Sequence, residues 1–135
     1  MEDRCKLDER ILDQVADALI YADRSGRIMR WNNACCALFG YSAEEALGQS
    51  LDLIIPEHLR AAHWKGFDAA MASGATKLEG RPTLTRAVHK GGRKLYVEMT
   101  FAVVKAAEGD ALGSVAMARD VTERVERERA ASRAS

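Results

Sequence analysis

The chain lacks net charge. Its 135 residues hold 20 lysines and arginines against 20 aspartates and glutamates. A balanced surface makes no global field to draw nucleic acid or an anionic membrane, so neither is expected as a partner. No apolar run is long enough to span a bilayer. The opening Met1-Glu2-Asp3-Arg4 lacks the basic-then-apolar order of a secretory signal. Cysteine is scarce, with only Cys5, Cys35 and Cys36. An odd number with two adjacent makes a poor disulfide framework, and no C-x-x-C pair suggests structural zinc. Without C-x-x-C-H, covalent haem attachment is not expected. These absences predict a reduced, cytoplasmic chain. The sequence also lacks a Gly-rich phosphate loop, a Ser-His-Asp arrangement and an evident acid/base carboxylate pair. The chain itself is therefore not expected to be an enzyme.

What is present is globular, with 47% apolar and 30% charged residues. The length suits one domain with a core of its own. Leu7, Ile11, Leu12 and Val15 recur at helical spacing and predict a short amphipathic helix over 7–16. The runs 18–23 and 27–32 read as strands, joined by a turn over Asp23-Arg24-Ser25-Gly26. A helix over 33–39 should end at Gly40. Ser42 with Glu44 and Glu45 reads as an N-cap and acidic first turn. Leu51–Ile55 is an apolar turn stopped by Pro56, which opens a longer helix to about residue 72. Three strands are expected over 77–88, 93–105 and 111–121. In the second, Leu95, Val97, Met99 and Phe101 alternate with Tyr96, Glu98 and Thr100, so one face is buried. From 121 the chain is a charged helix former that solvates or runs on to a partner. Asp120 and Arg124, four apart, are a candidate surface pair. The order predicts an α+β fold, a five-stranded antiparallel sheet with helices on one face.

Residues 8–126 resemble a PAS domain. The stretches that carry the resemblance are ALIYADRSGRIMRWNNACCALFGYSAEEALGQ, LIIPEHLRAAHWKGF, HKGGRKLYVEMTFAVV and GSVAMARDVTER. The resemblance implies a curved sheet that grips a small ligand against its helices. It also implies a sensor or dimerisation module controlling a neighbouring effector. On that reading 1–17 is a cap helix, 18–121 the PAS domain and 122–135 an exit helix. Flavin photochemistry of the thiol-adduct kind is excluded, because Gly48-Gln49-Ser50-Leu51 puts leucine where the attacking cysteine belongs. No cysteine follows Cys36 to tether a chromophore by thioester. Cys35 and Cys36 read as small buried apolar residues.

His63 is the residue of most interest. Leu59, His63, Phe67, Ala70 and Met71 form the apolar stripe of its helix. A histidine there is either a core residue whose ring nitrogens find backbone partners or an axial ligand to iron. PEHLRAAHWKGF resembles the haem-ligand helix of the family's oxygen-sensing members, in which the ligand histidine follows the glutamate by six residues, as His63 follows Glu57. The resemblance implies b-type haem, with O2, CO, NO or redox state as the signal. It places Met99 over the iron, with Phe101, Leu78 and Phe67 lining the site. Met99 either supplies a soft second axial ligand or fills the core. Thr83 stands where those members carry an arginine, and Arg81 reaches the same side only if the strand stays regular through Pro82. His58 and His89 are expected at the surface, and Trp64 is expected to pack. A haem-free dimerisation or relay module, its pocket filled by side chains or a small metabolite, is the alternative. Non-covalent flavin ranks behind both. A homodimer would use the apolar face of helix 7–16 and the exit helix.

Overall fold

A computed structural model describes residues 2–134, with side chains from residue 6 onward. The expectation for the Cys5 thiol lies outside the described side chains. The elements run α1 (Glu2–Gln14), β1 (Ala18–Asp23), β2 (Ile28–Trp31), α2 (Asn33–Phe39) and α3 (Ala43–Ala46). Two 3-10 turns follow, Leu51–Ile54 and Glu57–Leu59. Then come α4 (Arg60–Ser73), β3 (Thr83–Val88), β4 (Lys94–Lys105), β5 (Ala111–Asp120) and α5 (Thr122–Ala134). The five strands form one antiparallel sheet in the order β2-β1-β5-β4-β3.

Local chemistry explains most boundaries. Asp23 Oδ1 accepts from Ser25 N at 3.0 Å, Ser25 Oγ at 2.7 Å and Arg27 N at 3.0 Å, which folds the β1–β2 turn. Asn32 caps α2 and is buried at 3% exposure. Its Oδ1 accepts from Leu19 N and Cys35 N, and its Nδ2 donates to Leu12 O and Asp17 O. One fully satisfied amide thus ties the end of α1 to β1 and α2. Ser42 and Glu45 make a reciprocal capping box on α3.

Three boundaries differ from the sequence reading. The first helix, expected over 7–16, runs Glu2–Gln14. The expected strand over 77–88 begins only at Thr83. Residues 77–80 are a turn in which Glu79 and Gly80 take φ of 50° and 82°, and Pro82 then offers no N–H to a ladder. The long helix opens as a 3-10 turn and becomes α-helical at Arg60. The proposed Asp120–Arg124 pair does not form. Asp120 ends a strand and its Oδ1 accepts from Thr122 N and Oγ1, while Arg124 faces Glu98 and Glu128 at 3.8 Å. Helical spacing did not apply, because only Arg124 lies on the helix.

The core lies between the sheet and α2, α3 and α4. Phe39, Ile28, Leu95, Val97 and Cys35 are its largest fully buried side chains. Two rows cross the sheet on this face: Thr83–Met99–Ala118–Ala18 and Phe101–Ala116–Ile20–Trp31. The alanines on β1 and β5 keep the sheet's centre low, so the larger side chains of β4 and α4 fill the space above it. From α4, Phe67 and Met71 complete the core, each burial contributing about 1.5–3 kcal/mol.

Candidate functional site

His63 lies half-buried on the core side of α4, one turn before Phe67 and two turns before Met71. Its ring meets Trp64 edge-on at a centroid distance of 4.7 Å and Phe67 at 6.0 Å. Trp64 and Phe67 close the cluster at 5.3 Å. His63 Nδ1 is buried and has no hydrogen-bond partner among the described residues. Leaving such a nitrogen unpaired costs about 1–3 kcal/mol, so it marks a place where something is owed to the ring. Burial holds its pKa below the usual 6.5, against the opposing pull of Asp52 and Asp68. The imidazole is therefore neutral at neutral pH, the form that binds metal.

The other predicted residues divide. Met99, at 7% exposure, shares the core cluster with Phe67, and Phe101 packs against it half-buried. Thr83 is half-buried and pairs directly with Met99 across the β3–β4 ladder. Leu78 is half-buried in the turn over 77–80 rather than on a strand. Arg81 is exposed, and its Nε donates to Leu78 O at 3.0 Å. The strand alternation that would bring Arg81 to the core side does not reach it. His58 is exposed, as expected.

His89 corrects its surface expectation. It is half-buried, its Nδ1 accepts from Gly91 N at 2.9 Å, and its ring covers Gly40, where a Cβ would overlap it. Cys35 is fully buried, donates Sγ–H to Leu19 O at 3.1 Å, and its thiol is pushed up to about 12 by burial. It is a core residue and not a nucleophile.

Sequence reasoning missed how Trp64 packs. Its Nε1 donates to Asp52 Oδ1 at 2.8 Å, and its ring lies on Gly26, where a Cβ would overlap the indole. No spacing signal joins residues 26, 52 and 64. The only hint was an aromatic beside the one core-facing histidine.

The residues present suit haem in three respects. A neutral histidine offers a nitrogen, its immediate neighbours are aromatic, and a thioether sulfur lies in the same core. Among the described residues no group of three His, Cys, Asp or Glu could hold a bare metal ion. Two cavities, of about 320 Å³ at Asp17–Leu38–Arg119 and about 260 Å³ at Arg24–Ser73–Asp110, are lined by neither His63 nor Met99.

Comparison with known proteins settles the class. Residues 12–126 match the family described as PAS fold. The chain belongs to that family, whose members are generally sensory or regulatory modules. It is 33% identical over 124 residues to an uncharacterised protein of Azorhizobium caulinodans, covering 91% of this chain and 17% of that one. It is 27% identical over 111 residues to the oxygen sensor protein DosP of Escherichia coli, covering 82% of this chain and 14% of DosP. Over 53 residues it is 40% identical to the sensor protein FixL of Bradyrhizobium diazoefficiens, covering 39% of this chain and 10% of FixL. The chain thus spans less than a fifth of each of these relatives. The crystal structure of a PAS domain from Colwellia psychrerythraea superposes with a TM-score of 0.77 at 24% identity, covering 90% of this chain and 99% of that one. An RNA-binding light-oxygen-voltage receptor superposes at 0.74 with 25% identity, covering 96% of this chain and 36% of the receptor. No helix among the described residues is long and apolar enough to cross a membrane.

Proposed function

We propose that this domain is a cytoplasmic haem sensor. His63 is its iron ligand, and a diatomic gas (O2, CO or NO) or the redox state is its signal. The observation that carries the reading is the buried and unpartnered Nδ1 of the half-buried, neutral His63 ring. Similarity to an oxygen sensor protein and to FixL supports it. When bound, haem would supply an iron that can exchange gas ligands or electrons. The chain's own residues supply the rest. His63 would hold the iron, while Trp64 and Phe67 fix the plane of its ring. Phe67, Phe101 and Leu78 would line the pocket and keep water out. Thr83 presents the hydroxyl nearest in register to Met99 on the core face. Arg81 would reach a bound group only by leaving its turn. A shift at Met99 passes through its register with Ala118 into β5 and so to α5 and an effector beyond it. Such coupling is a population shift between two arrangements of sheet and helix. On this reading residues 1–17 cap the sensor, 18–121 sense, and 122–135 transmit, in a homodimer.

The test is the visible absorption spectrum of protein made with haem supply, oxidised, reduced, and reduced under carbon monoxide. A strong Soret band that is lost in His63→Ala is the expected result. A colourless protein that stays so after haem titration overturns it.

A second reading has its own observation. The rings of His63, Trp64 and Phe67 pack on one another, and they line neither described cavity. A haem-free relay or dimerisation module would look like this. In that case His63→Ala changes stability alone.

A further inference from the structure

Trp64 joins three parts of the chain that the sheet leaves separate. Its ring lies on Gly26 in the β1–β2 turn, a buried glycine with φ of 82°. Its N–H reaches Asp52 in the 3-10 turn at 2.8 Å. It meets the rings of His63 and Phe67 in T-shaped contacts at 4.7 and 5.3 Å, and its own backbone follows His63 on α4. A further bond closes the loop, because Gly26 O accepts from Leu51 N, beside Asp52, at 3.1 Å. Asp52 is itself held. Ser50 Oγ accepts from its backbone N at 3.2 Å, and Arg60 Nη2 donates to its carbonyl at 3.3 Å. The indole therefore has little freedom, with backbone below it and a fixed carboxylate at its tip.

We infer that Asp52 and Trp64 form a clamp that positions His63 and ties it to the β1–β2 turn. The inference rests on His63 being the point of signal input. Any tilt of the His63 ring presses Trp64 against Gly26 or draws it from Asp52. The turn carries β1, β1 pairs with β5 over Ala18–Asp23, and β5 runs into α5. The clamp thus offers a second route from α4 to the exit helix, besides the one through Met99. Both members are positioning residues. Neither is assigned to the iron.

Amide hydrogen exchange of the full chain as isolated, read by mass spectrometry, tests this whatever the haem content. Asp52→Ala removes the acceptor, Asp52→Asn keeps an oxygen there, and Trp64→Phe keeps a ring without the N–H. Loss of one hydrogen bond to a charged acceptor should speed exchange about tenfold in residues 23–28 and 60–67. Asp52→Ala and Trp64→Phe should each do this. Asp52→Asn should stay within about twofold of the parent, since an acceptor remains. The double variant should be no faster than either single change, because the two residues act as one unit. The β3–β4 turn over 89–93 should not change. In a haem-bearing preparation the same two variants, and not Asp52→Asn, should shift the reduced spectrum. Parent-like exchange in Asp52→Ala, additive effects, or acceleration that also reaches 89–93 would overturn the clamp. A colourless protein would remove the haem reading while the exchange pattern still decided the clamp. A coloured protein with unchanged exchange would remove the clamp alone.

Discussion

Thr122 Oγ1 accepts a hydrogen bond from the backbone N–H of Tyr96 at 2.9 Å, which stitches the first residue of α5 to β4. Val121 N donates to Tyr96 O at 2.9 Å beside it, and the Arg129 guanidinium lies 4.9 Å from the Tyr96 ring centroid. Tyr96 and Val125 are buried, yet neither belongs to the main core. Alternation along β4 puts Tyr96 on the sheet face opposite Leu95 and Val97, where α5 meets the strand. Thr122→Val removes the acceptor and leaves the Tyr96 N–H unpaired. It should cost about 1 kcal/mol in denaturant unfolding. Thr122→Ser, which keeps the hydroxyl, should recover most of it. A parent-like Thr122→Val would mean that the stitch contributes nothing.

Gly26 is a position where substitution should be costly. A side chain there meets the indole of Trp64 and must adopt φ of 82°. Gly26→Ala should cost about 2–4 kcal/mol from overlap and backbone strain together. In a Trp64→Ala background the same change should cost at least about 1 kcal/mol less, since only the backbone strain remains. Equal costs in both backgrounds would show that the contact does not limit the site.

Met99→Leu separates the two roles of Met99. Met99 is buried in register with Thr83 and Ala118, so a swap of similar volume should cost less than about 1.5 kcal/mol. With Met99 as core filling, the reduced haem spectrum should not change. A change from sharp low-spin bands to a broad high-spin band would instead identify the sulfur as a sixth ligand.

Cys35 predicts an alkaline weakness. Burial raises its thiol from 9.0 to about 12 in the folded chain. Below the unfolded value both states keep the proton, so its contribution is whole there. Above it the unfolded chain gains by releasing a proton that the folded chain retains, and stability falls as pH rises toward the folded value. The stability difference between the parent and Cys35→Ala should shrink as pH rises above about 9 toward about 12 in urea titrations. A constant difference would show that the thiol ionises equally in both states. The buried thiol should also resist alkylation until the chain unfolds.

Much of the fold was legible because its signals are local. The Gly40 end of α2, the Ser42–Glu45 box and the Asp23–Gly26 turn all act within a few residues. The strand start at Thr83 was not, because apolar content over 77–82 cannot reveal that Glu79 turns left-handed. At the site, helical spacing placed His63, Phe67 and Met71 on one face. It could not place Asp52 or Gly26 beside Trp64, since those contacts depend on how three separate segments meet. His89 was missed for the same reason, as Gly40 beneath its ring lies far off in sequence.

The first strand and the last lie side by side at the centre of the sheet, with Ala18 opposite Ala118. The two flanking helices therefore leave the domain at one end of the same strand pair. A slide of β1 against β5 by a fraction of a residue would shift one helix lengthwise past the other. Mechanically the domain has a single port, at which the stroke is the offset between its two helices.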